Sequence, residues 1–383
     1  MNLDIPDVTL DWRAKGFWLP DGPVGAREFV AARHSLFDGS FTWPLLVVRD
    51  SAVRANIATM AGYARQHGFS FAPHAKTSMA PTLLAAQLAA GAWAQTVATA
   101  GQALVLRRLG VPRILIANQV LDLTALRWLS TQEGIVLQVD SVAGVEAVAA
   151  AGGLPVLVEL GHAGGRTGCR TVEAVREVAR AAAGAPGVTL AGITAYEGGL
   201  GSAAAVDELL ATQKRAAHEI ADLLPDEVIV SAGGSAWFDR VVAALGGQWL
   251  PGHTVRAVLR SGASITHDDG FYRERTPFNR VAEGSLTAAL ELHAQVLSVP
   301  EPGLAIVGMG KRDAPVDEGL PVTAAGEVVK LNDHHTYVRS SSLAIGDLVR
   351  FGVSHPCTTF DKWRWIPVAD DNDVVVDILH TYF

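Results

Sequence analysis

Lys76 stands in the segment Pro73-His74-Ala75-Lys76-Thr77, directly after an apolar run, where a surface lysine is not expected. In a poorly hydrated pocket a lysine loses proton affinity and its amine becomes a nucleophile, as a Schiff base requires. Taken alone, such a lysine is more often a rim residue paired with a carboxylate. Two glycine turns much later in the chain narrow the choice. Gly233-Gly234-Ser235 follows one apolar run and precedes a helical segment starting near Trp237, and Ser261-Gly262 follows the next run. Glycines at such places let backbone N–H groups approach a phosphate at a helix N-terminus, and Ser235 adds a hydroxyl. One Gly-Gly-Ser turn is only a turn. A nucleophilic lysine with two phosphate-type turns is a more specific set.

A third group lies in Gly352-Val353-Ser354-His355-Pro356-Cys357. If this segment is extended, His355 and Cys357 point to the same side, because side chains alternate along a strand. Imidazole and thiolate suit Zn²⁺, or another divalent metal, and two protein ligands leave positions for water or substrate. A core histidine beside a buried cysteine is the plain alternative. His334 and His335 belong either near this pair or on the surface.

These residues need a scaffold that gathers strand ends. From residue 69 onward, apolar runs at 69–73, 95–98, 113–117, 136–139, 156–159, 189–195, 228–231 and 256–259 alternate with helical stretches such as 81–90, 172–183 and 205–224. Eight strand–helix units predict parallel pairing and an α/β fold with a closed (β/α)₈ TIM-type barrel. An open doubly wound sheet is the competing arrangement, but no G-x-G-x-x-G follows the first strand. In such barrels the working residues sit at the C-terminal strand ends, and phosphate sites follow strands seven and eight. Lys76 and both glycine turns obey that rule. A helix running from residue 50 or 51 to about 66 leads into the first strand. After about residue 264 the helical rhythm fades, and β-type segments appear at 288–298, 304–307, 327–331, 336–339, 347–352 and 374–379. The division expected is a barrel over 50–265, with 1–49 and 266–383 forming a second, mostly antiparallel β domain that carries the metal pair. The strand-forming segment 45–48 suits that second domain. Residues 1–40 suggest no role.

The bulk numbers agree. The 383 residues are 49% hydrophobic and 18% charged, with a formal net charge of −8. No basic stripe exists for nucleic acid, and no uninterrupted apolar run reaches membrane-spanning length. Two cysteines are too few for a disulfide framework. The start of the chain is acidic, without a charged-then-apolar signal pattern, so the cytoplasm is the expected location. A small-molecule substrate and further copies of the chain are the expected partners.

The P-H-x-K-T segment and the distant H-x-C pair together resemble the D-serine dehydratase and D-threonine aldolase family. Those are fold-type III pyridoxal-phosphate enzymes with an alanine-racemase-like barrel and a C-terminal β domain. The resemblance runs from about residue 44 to the end. It implies that Lys76 forms the internal aldimine, with His74 beside it at the cofactor. Arg166 looks like the arginine facing the cofactor's phenolic oxygen, and Tyr196 like the tyrosine beside its pyridine ring. Gly233, Gly234, Ser235, Ser261 and Gly262 look like the phosphate cradle, and His355 and Cys357 match the metal pair. A homodimer is implied too. Two departures concern the substrate side of the pocket: Gly199-Leu200-Gly201 replaces a histidine often found after the tyrosine turn, and the first glycine cluster is Ala-Gly-Gly-Ser.

The implied reaction is loss of water from a small D-β-hydroxy amino acid (D-serine, D-threonine or 3-hydroxy-D-aspartate type), giving a keto acid and ammonia. Pyridoxal phosphate is the electron sink, Lys76 the base at Cα, and zinc the Lewis acid at the β-oxygen. The alternative is a metal-activated retro-aldol cleavage to glycine and an aldehyde. Family aldolases tend to carry His-x-Asp at the metal position, so Cys357 favours the dehydratase. A metal-dependent hydrolase would need more strand-end ligands than His74 and His162. A non-catalytic cofactor carrier would have no use for a second domain with a metal pair.

Overall fold

In the computed structural model, residues 3–383 are described and pack as two compact units. One takes residues 3–4, 61–76 and 87–262, and the other takes 5–60, 77–86 and 263–383. The chain passes between them within the helix Asp50–Gln66 and again directly after Lys76.

The first unit is the parallel barrel. Its strands are Ser70–Phe71, Gln95–Val97, Ile114–Ile116, Ile135–Val139, Pro155–Leu160, Thr189–Ala195, Glu227–Ala232 and Thr254–Leu259, and each pairs with its sequence neighbour from the second strand on. Thr254–Leu259 returns to the first strand, with Val258 opposite Ser70 and Leu259 opposite Phe71. The ring closes where His74 bridges Thr96, whose N–H donates to Pro73 O at 2.9 Å. The strands read as unbroken apolar runs because both their faces are covered, as parallel sheets demand. Small polar residues start the helices. Thr99, Asp122, Ser141, Thr171 and Ser202 each accept a hydrogen bond from the backbone N–H three residues on. Each such cap contributes about 1 kcal/mol. Val172–Gly184 then buries Val175, Val178, Ala179 and Ala182, one stripe at helical spacing.

The second unit is built on a sheet ordered 327–331, 336–339, 304–307, 290–301, 45–49, 365–369 and 375–380, with Leu348–Gly352 also pairing Leu290–Glu301. All its pairings are antiparallel except Trp365–Ala369 with Leu45–Arg49, so residues 45–49 do join this sheet. A buried carboxylate ties three of its strands. Glu291 takes Arg49 at 2.6 Å, Arg350 at 2.5 Å and His293 Nε2 at 3.2 Å. His334 and His335 are exposed in the turn between residues 331 and 336. No helix among the described residues is long and apolar enough to cross a membrane.

Candidate active site

Lys76 lies in a short 3₁₀ turn, Ala75–Thr77, reached from the first barrel strand. Its backbone N–H points at His74 Nδ1, 3.5 Å away. Burial, reinforced by the charges of Lys76, Arg260 and Arg166, drives the His74 pKa well below the usual imidazole range. That ring is therefore neutral, and it is surrounded by cations, a field suited to an anionic cofactor.

Opposite His74, the chain at Gly262 comes so close that a Cβ would lie 2.4 Å from His74 O. Only glycine fits there. Ser261 Oγ donates to the carbonyls of Gly233 (3.2 Å) and Gly234 (3.1 Å), which ties the last two strand ends together. A Cβ on Gly234 would meet the Tyr196 ring at 3.2 Å. The Arg166 guanidinium stacks over the other part of this arc, 4.4 Å from the Tyr196 ring centroid. Its loop is held from below: Thr167 donates to the buried Glu159 at 3.1 Å and Gly168 N–H donates to Asp140 at 2.8 Å. Lys76, His74, Gly262, Ser261, Gly233, Gly234, Tyr196 and Arg166 thus follow one another around the C-terminal strand ends.

The first glycine turn differs from the anion-binding turn expected of it. The N–H groups of Gly233 and Gly234 do not face outward to a phosphate. They donate to the two oxygens of Glu197, at 3.1 and 2.5 Å, and Glu197 is fully buried. Gly233 has φ +105°, so glycine is required there, but for the turn and not for an anion. Ser235, at the end of this turn, has a hydroxyl that makes no hydrogen bond among the described residues.

Three ionisable residues of this site had strand-end positions and no predicted role. Glu197 locks the glycine turn, and Glu159 supports the Arg166 loop with its pKa raised by burial. Arg260 is buried and donates to Thr194 Oγ1 (2.9 Å), Ser231 Oγ (2.6 Å) and Ala195 O (2.8 Å). A charge ending an apolar strand is the signal that marks all three, since an unneeded buried charge is costly.

In the second unit, His355 and Cys357 do come together, by a different route from the one expected. Pro356 is helical (φ −77°, ψ −28°) and Cys357 opens the helical turn Cys357–Phe360, so the segment is not a pleated strand. His355 Nδ1 lies 2.7 Å from Asp317 Oδ2, and Thr358 Oγ1 donates to Asp317 Oδ1 at 2.8 Å. Burial alone would lower the His355 pKa, but hydrogen bonding and charge from Cys357 and Asp317 raise it to about 9. Thr77 Oγ1 is 3.5 Å from Cys357 Sγ. The other cysteine is different in kind: burial, with Asp140 nearby, pushes the Cys169 thiol up to about 12.

Both donor sets fit the groups they are expected to hold. In the barrel, the neutral His74 lies in the field of Lys76, Arg260 and Arg166, and Ser235 carries a hydroxyl without a hydrogen bond among the described residues. In the second unit, an oriented imidazole has a thiol in hydrogen-bonding reach. Among the described residues no third histidine, cysteine or carboxylate joins that pair as a further metal ligand.

A closed parallel barrel with a lysine after its first strand, joined in one chain to an antiparallel sheet, is the alanine-racemase architecture of pyridoxal-phosphate enzymes. The chain belongs to the alanine racemase N-terminal domain family, whose model matches residues 48–249, more than half its length. A second model, a putative serine dehydratase domain, matches residues 289–369, which include the His355–Cys357 pair. The likeness seen in the P-H-x-K-T and H-x-C motifs is thereby borne out. A 3-hydroxy-D-aspartate aldolase of Paracoccus denitrificans (strain Pd 1222) is 27% identical over 347 residues, covering 84% of this chain and 87% of the relative. Among solved structures, the D-threonine aldolase from Filomicrobium marinum superposes with a TM-score of 0.78 at 23% identity, covering 89% of this chain and 95% of its own. The D-threo-3-hydroxyaspartate dehydratase from Delftia sp. HT23 gives 0.70 at 22%, covering 89% and 97%.

Proposed function

We propose that this chain is a pyridoxal-phosphate- and divalent-metal-dependent dehydratase that removes water from a small D-β-hydroxy amino acid, releasing a keto acid and ammonia. The observation that carries this is the donor pair His355–Cys357, a thiol where a carboxylate would suit an aldolase. Bound pyridoxal phosphate supplies the electron sink for bond breaking at Cα. A metal held by His355 and Cys357, zinc being the best match to imidazole and thiolate, supplies Lewis acidity for departure of the β-hydroxyl.

The chain's own residues do the rest. Lys76 Nζ binds the cofactor and removes the proton from Cα. His74, kept neutral by burial and neighbouring cations, accepts from the Lys76 backbone and fixes the turn that aims this lysine. Arg166 and Tyr196 stack to make one wall of the ring site. Ser235, with the Ser261-Gly262 turn, receives the phosphate. Thr77, next in sequence to Lys76, contacts Cys357.

A specific observation also favours the second reading, retro-aldol cleavage to glycine and an aldehyde: the curated relative and the D-threonine aldolase both carry aldolase names. The proposal is tested by leaving-group dependence. Hydroxide is a poor leaving group and chloride a good one, so chelation should abolish keto-acid formation from D-serine while sparing that from β-chloro-D-alanine. Equal loss with both substrates contradicts metal assistance at the β-oxygen.

A further inference from the structure

We infer that Asp317 is a positioning residue for the metal, presenting His355 to it through Nε2. This rests on the assignment of His355 and Cys357 as the metal pair and adds the residue that sets the geometry and basicity of one ligand.

Asp317 lies in Pro315-Val316-Asp317-Glu318-Gly319, 38 residues before His355 in sequence. Both of its oxygens are engaged. Oδ2 is 2.7 Å from His355 Nδ1, and Oδ1 accepts from Thr358 Oγ1 at 2.8 Å. With both oxygens turned to these partners, the carboxylate acts through His355 and not as a further ligand. An imidazole whose Nδ1–H donates to a carboxylate keeps its lone pair on Nε2, the atom left to bind a cation. The ring cannot swing away easily. Phe271 and Tyr272 stand against it, each with centroids 5.8 Å from the imidazole.

The loop carrying Asp317 is fixed to the ligand segment at a second point. Ser354 Oγ donates to Glu318 O at 2.8 Å, and Gly319, at φ +119°, approaches so closely that a Cβ would lie 2.7 Å from Ser354 Oγ. Stability is a poor explanation for this arrangement. The Asp317 side chain is 40% exposed, and ion pairs at such positions contribute little to folding. Orientation of a ligand is a task that an exposed carboxylate with two fixed oxygens performs well.

The test measures zinc affinity of the cofactor-loaded enzyme by competition with a chromophoric chelator, for the wild type, His355→Ala, Asp317→Ala and Asp317→Asn. Cobalt(II) replaces zinc in parallel, to read the thiolate-to-metal absorbance that reports Cys357. The cofactor absorbance of the Lys76 site reports that each variant is folded. His355→Ala should lose the site. Asp317→Ala should bind zinc about 10- to 100-fold more weakly and keep the cobalt–thiolate band at saturation. Asp317→Asn, which preserves shape and loses charge, should fall between it and the wild type. Wild-type affinity in a folded Asp317→Ala overturns the inference and leaves the metal pair standing. If Asp317→Ala fails to fold, wild-type affinity in Asp317→Asn overturns it instead. Wild-type affinity in His355→Ala overturns the metal assignment, and this inference with it.

Discussion

Thr77 Oγ1 lies 3.5 Å from Cys357 Sγ, and Thr77 is the residue that follows Lys76. Either atom can donate in this contact, and such a hydrogen bond contributes about 0.5–1.5 kcal/mol. Thr77→Val, which keeps the shape and removes the hydroxyl, should therefore weaken zinc binding by up to about tenfold. Its visible cofactor absorbance should match the wild type. A zinc titration beside an absorbance spectrum checks both halves.

Lys76→Ala should abolish the visible absorbance of bound cofactor and the borohydride-reducible band. Turnover should fall by at least about 10²–10⁴-fold, the range expected when a proton-transfer group is lost. Survival of the same band in this variant would assign the cofactor to another lysine.

Arg260 gives a prediction about the barrel's polar interior. Its guanidinium bonds Thr194, Ser231 and Ala195 O, and among the described residues no carboxylate is hydrogen-bonded to it. Arg260→Met would leave those acceptors and hydroxyls without a buried donor, each unmet group costing about 1–3 kcal/mol. A lowered melting temperature with weakened cofactor retention on dilution is the expected result.

The second unit carries a pH signature in Glu291. Burial raises its pKa, but hydrogen bonds from His293 and Arg49, with the charge of Arg49, reverse this and hold it at about 2, against an ordinary 4.5. A depressed carboxylate stabilises the fold fully above the unfolded value. That contribution is lost as pH falls from about 4.5 through 2. Thermal melts of the wild type should therefore drop over that window, and those of Glu291→Gln should drop less. At neutral pH Glu291→Gln should be less stable by about 1–3 kcal/mol, because Arg49 loses its buried partner and keeps only Asp373 and Asp370 O.

Much of the barrel was legible because parallel strands buried on both faces must be apolar runs, and helices need polar caps such as Thr99, Ser141 and Ser202. Lys76 was legible because a charge ending such a run stands out. The direction of a backbone N–H was not legible at Gly233 and Gly234. Glycine advertises conformational freedom without saying that Glu197 will claim the donors. The route to the His355–Cys357 pair was not legible because alternation assumes a strand, and Pro356 adopts a helical conformation. Asp317 was invisible for a different reason: its partner is remote in sequence, and only the tertiary fold brings the two within hydrogen-bonding distance.

The most direct test of the dehydratase assignment is the product balance of the cofactor- and zinc-loaded enzyme. D-serine, D-threonine and D-threo-3-hydroxyaspartate would each be supplied, and keto acid, ammonia, glycine and aldehyde measured in the same reaction. Elimination breaks the Cα–H and Cβ–O bonds and leaves the carbon chain whole, so keto acid and ammonia should form in equal amounts with no glycine. Glycine and an aldehyde as the main products would show that the Cα–Cβ bond is the one that breaks, and would contradict the account.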